Sequence, residues 1–354
     1  MNEKSPDIRS LLQPERIEFL ISEFSSRRIA VIGDFFLDKY LDVDPAIAET
    51  SLETEKTANQ VISVRHSPGA AGNVVKNLAS LGTGILHAVG LVGEDGEGYE
   101  LFSDLRHLGC KTGLLLPSAQ LMTPTYFKPR DKDIPGLKGE HERYDIKNRN
   151  PIPRTLGKQV IEALDSILND LDGVIIADQV EEPGCGVITD MVREALSERA
   201  ANHEGIVFLA DSRSRIRTFR NIMVKPNQYE ATGIQRTVPE IMVDRETLKK
   251  SAQSLHAEIS APVFITCGER GIMVCSETIT EVPAVRLDGE LDTTGAGDSA
   301  AGGIVLALSS GATEVEAAII GNLAASITAE QLDTTGTATP EELVSRCAVW
   351  KSQE

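Results

Sequence analysis

This 354-residue chain has no apolar run long enough to cross a bilayer, which takes roughly 20 residues. It has no long basic run either. Its 35 Lys and Arg stand against 53 Asp and Glu, for a formal net charge of -18. Nucleic acid and anionic membrane are therefore not expected partners. The first residues, Met1 to Asp7, lack the basic-then-apolar pattern of a secretory signal. Cysteine is scarce: Cys110, Cys185, Cys267, Cys275 and Cys347 are an odd number and form no C-x-x-C. That argues against a disulfide or zinc framework and for buried thiols in a reducing cytoplasm. The six histidines form no cluster, and His141-Glu142 lacks the second His of a zinc-protease helix. No G-x-x-x-x-G-K-[ST] occurs, so a P-loop is excluded, and no G-x-S-x-G marks a serine hydrolase. The glycines of Gly90 to Gly96 have the wrong spacing for a dinucleotide fingerprint.

What is present suits a globular α/β protein: 41% of residues are hydrophobic and 25% charged. Arg28 to Asp34 is a short apolar run ending in Gly-Asp, as a buried parallel strand would. The spacing predicts a helix over Ala70–Leu81, a strand over Ile85–Val92 and a helix over Gly98–Leu108. From residue 151 the alternation is regular, with strands at Val174–Ala177, Ile206–Ala210, Ile222–Val224 and Val263–Thr266. The last third is Ala-rich and helical. Alternating β and α elements imply a doubly wound, mostly parallel sheet with helices on both faces. Two polar, strand-like excursions, at about 35–66 and 112–150, do not fit that core. Paired together they would make a small β lid over one end. Such a lid would leave an apolar face, and a homodimer through it is one expectation.

The most informative stretch is Asp292-Thr293-Thr294-Gly295-Ala296-Gly297-Asp298, which leads into an apolar helix from Ser299. A helix start exposes unpaired N–H groups and favours negative charge, and glycines let a phosphate approach closely. A carboxylate there would repel phosphate, so Asp298 calls for another role: taking a proton from a hydroxyl that attacks a phosphoryl group. The alternative is an Asp placed to cap the helix. Gly33-Asp34-Phe35-Phe36-Leu37-Asp38 ends a strand, where open α/β sheets bind ligands, and its carboxylates could accept sugar hydroxyls. Pro68-Gly69-Ala70-Ala71-Gly72-Asn73 opens a helix with small residues and an amide. Asn227-Gln228-Tyr229-Glu230 and Thr266-Cys267-Gly268-Glu269-Arg270-Gly271 each follow a strand.

Together these motifs resemble the PfkB/ribokinase sugar kinases, whose signature D-T-x-G-A-G-D is matched at every specified position. The resemblance runs from about Ile29 to Leu343, and it is most similar to the kinase part of the heptose-phosphate kinase branch. It implies a single ribokinase-like domain over 1–354 that phosphorylates a hydroxyl of a sugar or sugar phosphate with ATP and Mg²⁺. Asp298 would be the base, and the N–H groups of Gly295, Ala296 and Gly297 the anion hole. Gly33, Asp34, Asp38, Gly69 and Asn73 would hold the sugar. Asn227 and Glu230 match the family's N-x-x-E, whose Glu arranges water around Mg²⁺. Thr266, Gly268, Gly271 and Asn322 would lie at the nucleotide. Asp292 and Thr294 would help bind a monovalent cation such as K⁺, or else form a structural turn. The branch's P-G-G-A-A-N segment has Ala70 in place of its second Gly. Its R-I-S-P-E-A-P segment is replaced by Glu49 to Glu55, which brings acids where relatives carry an Arg. Arg143 is then the expected contact for an anionic substrate group, against the alternative of a solvated pair with Asp145 or Glu142. Two other readings stay open: a sugar-binding regulatory protein on this fold, and a kinase of a nucleoside or other non-sugar alcohol.

Overall fold

The computed structural model describes residues 8–134, 136–235, 242–332 and 335–353. Its strands, in chain order, are β1 (Arg28–Val43), β2 (Glu49–Thr50), β3 (Thr57–Ala58), β4 (Val61–Ala70), β5 (Ile85–Gly93), β6 (Lys111–Ser118) and β7 (Thr125–Asp131). There follow β8 (Tyr144–Ile146), β9 (Gly173–Asp178), β10 (Val207–Ser212), β11 (Met223–Val224), β12 (Val263–Thr266), β13 (Ile272–Cys275) and β14 (Ile279–Val282). The main sheet runs β14-β13-β12-β11-β10-β9-β1-β5-β6. It is parallel from β12 to β6, with β13 and β14 added antiparallel at one edge. Thr266 to Gly271 is therefore the turn of a β12–β13 hairpin. From β1 the chain builds outward to β5 and β6, then returns beside β1 as β9 and builds the other way. The order reverses between β1 and β9, and that switch point is where such sheets open a crevice at their C-terminal ends.

Both faces of the central strands are buried, which is why Ile29 to Ile32 shows no polar alternation. Ile29 and Val31 pack into one core with the helices Ala71–Ser80, Ala296–Ser309, Glu314–Ala329 and Pro340–Ser352. Ala30 and Ile32 pack into the other, against Arg154–Asp165, Asp190–Asn202 and Arg245–Ile259. The Ala-rich composition of the last third has a packing cause. A Cβ on Gly303 would lie 3.1 Å from the Gly321 Cα, so the two helices approach more closely than larger residues allow.

The lid is built largely by β1 itself. That strand runs unbroken out of the main sheet, and Leu37–Val43 pairs antiparallel with β4 and parallel with β7, which pairs with β8. The expected excursion at 112–150 is thus too wide at its start, because β6 pairs with β5 in the main sheet. The lid begins at Thr125. β4 leaves Val61, Ile62 and Val64 exposed.

Ala70, at the junction of β4 and the helix Ala71–Ser80, has φ 51° and ψ -120°. Glycine enters that region freely, whereas a residue with a Cβ is strained there by about 1–3 kcal/mol. The position is the one where the related branch carries Gly. Ala70→Gly is expected to stabilise the protein by about 1 kcal/mol, after the larger chain entropy of Gly is subtracted. Thermal unfolding decides it: an unchanged or lowered Tm would show that the backbone is not strained.

Candidate functional site

Three neighbouring strands carry an aspartate at the same end of the main sheet: Asp34 on β1, where its pairing with β5 stops, Asp178 at the end of β9 and Asp211 one residue before the end of β10. Asp34 is buried, and its carboxylate is used by main chain. Oδ2 accepts from the N–H of Gln179 at 2.8 Å and Val180 at 3.0 Å, and Oδ1 from Val187 at 2.7 Å. Burial and the nearby Asp178 raise its pKa to about 6 against those three N–H groups. Three of its acceptor positions are thus taken by the loop 179–187, which gives Asp34 a structural role beside the expected sugar contact. Gly33 leaves no room for a side chain, since a Cβ would lie 2.1 Å from the Ala177 carbonyl oxygen. Asp178 is fully buried. It receives Arg215 at 2.6 Å and the Ser212 hydroxyl at 2.7 Å, which ties β9 to the loop after β10.

Asp298 sits in the first turn of Ala296–Ser309. Gly295 precedes it at φ 82°, a left-handed turn that favours glycine and brings the chain to the helix start. Asn73 Nδ2 donates to Asp298 Oδ2 at 2.5 Å, while the buried Asn73 Oδ1 has no partner among the described residues. Burial pushes the Asp298 pKa up to about 6, with the Asp211 charge adding to it and Asn73, Lys225 and Arg213 opposing. The Ala296 N–H donates to the Thr293 carbonyl at 3.2 Å. Among the described residues, the N–H groups of Gly295, Gly297 and Asp298 have no acceptor. They are the donors that a phosphate could use. Asp292 accepts the Thr294 N–H at 2.9 Å, so the turn reading of these two holds whether or not a cation binds.

Glu230 faces the same space. Asn227 and Glu230 form a capping box: Asn227 Oδ1 accepts from Tyr229 and Glu230, and Glu230 Oε2 accepts the Asn227 N–H at 2.8 Å. N-x-x-E is therefore a helix start as well as a ligand motif. Burial and Asp211 raise the Glu230 pKa to about 7, against the Asn227 N–H, Lys225 and Arg213. One Glu230 oxygen is left over, and a carboxylate so costly to ionise is suited to a cation. No group of three or more metal-ligating side chains exists among the described residues. The donors here fit Mg²⁺ that keeps its waters and not a protein cage.

Sequence reasoning missed two members of this centre. Asp211 directly follows a predicted strand, the same signal that singled out Asp34. Lys225 stands inside the quoted motif, yet a lone Lys carried no chemistry of its own. Its Nζ lies 3.0 Å from Asp211 Oδ2, and the residue is 3% exposed.

On the lid side, Asp38 pairs with Lys128 at 2.9 Å, and a Cβ on Gly69 would lie 3.1 Å from Asp38 Oδ2. Gly69 therefore borders the carboxylate that the resemblance assigns to the sugar. Arg143 is exposed. Its fork is taken by Asp145 at 2.7 and 3.0 Å, and it stacks on Tyr126 with its guanidinium 4.4 Å from the ring centre. The solvated-pair reading of Arg143 thus describes the geometry. Arg213 Nε donates to Gln179 at 3.0 Å, and its terminal nitrogens have no described partner. With Lys147, Phe36, Tyr126, Gln179 and Cys185 it lines a pocket between lid and sheet.

At the far side, the Thr266 N–H donates to the Pro226 carbonyl at 2.9 Å, which sets the hairpin turn beside Asn227. Gly268 and Gly271 have φ 57° and 90°, and Gly271 lies against the Val282 carbonyl. Asn322 is buried and donates to the Pro283 carbonyl at 2.7 Å, which also takes the Trp350 indole N–H at 2.8 Å. One of its two amide N–H groups thus fixes the segment after β14.

Residues 187–342 match the pfkB family carbohydrate kinase. The chain is similar to the "Bifunctional protein HldE" of a Nitratiruptor species, 27% identical over 321 residues, 89% of this chain and 64% of that protein. It is 30% identical to the protein of that name from Caulobacter sp. (strain K31) over 331 residues, 91% of this chain and 63% of that one. The chain thus spans less than two thirds of the length of these curated relatives. In structure it is similar to ribokinase from Thermotoga maritima, with a TM-score of 0.65 and 22% identity, covering 91% of this chain and 99% of that one. At that identity the likeness shows a shared fold. Among the described residues, no helix is long and apolar enough to cross a membrane.

Proposed function

We propose that this chain is a carbohydrate kinase of the PfkB family, a reading supported by its matches, and that it transfers the terminal phosphoryl group of ATP to a hydroxyl of a sugar or sugar phosphate. The observation that carries the reading is the placement of Asp298. Its carboxylate, with a pKa raised to about 6 and oriented by Asn73, stands beside N–H groups that have no acceptor among the described residues. As the acceptor oxygen bonds to phosphorus and the bond from phosphorus to the leaving ADP oxygen breaks, the acceptor's proton passes to Asp298. The N–H groups of Gly295, Gly297 and Asp298 stabilise charge on the transferring phosphoryl. Asp38 and Asn73 Oδ1 accept sugar hydroxyls and hold the attacking oxygen in line. Glu230 would hold Mg²⁺ through water, and the ion would supply positive charge against the phosphates. K⁺ at the Asp292–Thr294 turn belongs to the same reading. The lid keeps water off the phosphoryl group, as a kinase must to avoid hydrolysing ATP.

ADP release measured over a panel of sugars and sugar phosphates tests this. Formation of ADP that requires both an acceptor and Mg²⁺ supports it. A folded protein that consumes no ATP with any acceptor would leave a sugar-binding role as the better reading. The same panel locates recognition of an acidic group. Because Arg143 is paired and Arg213 presents free N–H groups to the pocket, Arg213→Ala is expected to raise KM for a phosphorylated acceptor by about tenfold or more. That corresponds to a charge-assisted contact of about 1.5–3 kcal/mol. Arg143→Ala should change it less than threefold. Equal effects on phosphorylated and neutral acceptors would show that no phosphate is read at Arg213.

A further inference from the structure

The loop between β9 and the helix Asp190–Asn202 lines the pocket with Gln179, Val180, Glu181 and Cys185. Asp34 takes three of its N–H groups, and one residue on the other side takes its carbonyls. Arg215 Nη1 donates to the Glu181 carbonyl at 3.0 Å, and Nη2 donates to the Val180 carbonyl. Nη2 also donates to Asp178 Oδ1 at 2.6 Å, and Nε to Asp178 Oδ2 at 3.2 Å. One planar fork thus spans the last residue of β9 and the start of the loop. Burial works against its charge, and Asp178, Asp34 and Asp190 outweigh it. The fork is itself anchored: the Arg215 N–H donates to Ser212 Oγ at 3.0 Å, and that hydroxyl donates to Asp178.

This fork bears on Arg213 by two routes. The Arg213 N–H donates to the Asp178 carbonyl at 3.2 Å, so its backbone is tied to a residue that Arg215 holds. Its Nε donates to Gln179, which lies between Asp178 and Val180, both gripped by Arg215. We infer that Arg215 is a positioning residue for the acceptor: it sets Gln179 and, through it, aims the terminal nitrogens of Arg213 into the pocket. This rests on the kinase reading. A competing account is that Arg215 only neutralises the buried Asp178. Arg215→Lys separates the two. Lys keeps the charge beside Asp178, but a single ammonium cannot reproduce a fork across one carboxylate and two carbonyls.

The experiment is steady-state kinetics of the full chain with ATP and the acceptor of highest kcat/KM in the panel, with Tm measured alongside. The variants are Arg215→Lys, Arg213→Ala and the two combined. Arg215→Lys is expected to raise acceptor KM about fivefold or more, with kcat and ATP KM within about twofold and Tm nearly unchanged. In the Arg213→Ala background it should add less than about twofold, because a contact already removed cannot be misaimed. A wild-type acceptor KM in Arg215→Lys would overturn the assignment and leave only charge neutralisation. So would a parallel loss in kcat or ATP KM, or two effects that multiply in the combined variant. Should the Lys side chain lower Tm, Arg215→Met with Asp178→Asn is the second route, since it removes both charges together. Acceptor KM should stay raised there, and its recovery would equally overturn the proposal. If the wild type forms no ADP with any acceptor, the kinase reading falls and takes this assignment with it. That failure is distinct from an active wild type whose variants match it.

Discussion

Asp298→Asn is expected to abolish turnover and to stabilise the protein at neutral pH. A positioned base is worth roughly 10²–10⁴-fold in rate, and Asn keeps the volume while losing the ability to take a proton. The Asn73 amide can still donate to the new side-chain oxygen, so the turn should keep its shape. The stability gain follows from the raised pKa. The folded value, about 6, stands above the ordinary 3.8, so the folded state holds the proton more tightly than the unfolded chain does. Stability from this group is present below about pH 4 and is lost as the pH rises through about 6. At pH 7.5 the ionised carboxylate costs about 1–3 kcal/mol, allowing for solvent that reaches it. Replacing it with a neutral amide should therefore raise Tm at pH 7.5 and leave it nearly unchanged at pH 4. The wild-type kcat/KM should fall on the acid side near pH 6, where the base becomes protonated. Near-normal kcat in a folded variant would remove Asp298 from the role of base. A loss of kcat with a fall in Tm at pH 7.5 would mean that the residue is structural.

That pairing of lost activity with gained stability is the mark of a group kept for chemistry. It also shows why parts of this site were legible in the sequence and others were not. Gly295, Gly297 and Asp298 lie within seven residues, and their local spacing already encodes a turn into a helix. Asn227 and Glu230 were visible for the same reason, although the spacing could not separate a helix cap from a ligand. The structure shows the cap and leaves one oxygen over. Asp211 and Lys225 are 14 positions apart, and only the adjacency of β10 and β11 brings them together. Nothing local marks such a pair. The fold was read correctly where hydrophobic runs were buried on both faces. It was misread where one strand serves two sheets: β1 passes from core to lid with no break in its pattern, so the sequence showed a strand and then an excursion. The β13–β14 hairpin carries little signal of its own, because each of its strands is only four residues long.

The Gly33-Asp34 pair sets the last test, because sequence and structure give its carboxylate different work. As a sugar ligand, Asp34 would tolerate truncation in stability and lose it in KM. The geometry makes it a clasp: one side chain satisfies the N–H groups of Gln179, Val180 and Val187, in a loop that has no strand or helix to satisfy them. An unmet buried N–H costs about 1–3 kcal/mol, with water recovering part of it. Asp34→Ala should therefore destabilise the protein by about 3–5 kcal/mol, among the largest effects of any single change outside the hydrophobic core. The loop it releases carries Gln179 and Cys185, which line the pocket beside Arg213. Acceptor KM should rise as a consequence, in step with the loss of order in that loop. Asp34→Asn should recover part of the stability, because one oxygen can still accept while the amide meets donors it cannot pair with. Denaturant unfolding and amide exchange of residues 179–187 measure both effects. An Asp34→Ala variant with an unchanged unfolding midpoint and a raised acceptor KM would return Asp34 to the sugar. A midpoint that falls together with lost protection of the loop would fix it as the latch at the switch point between β1 and β9.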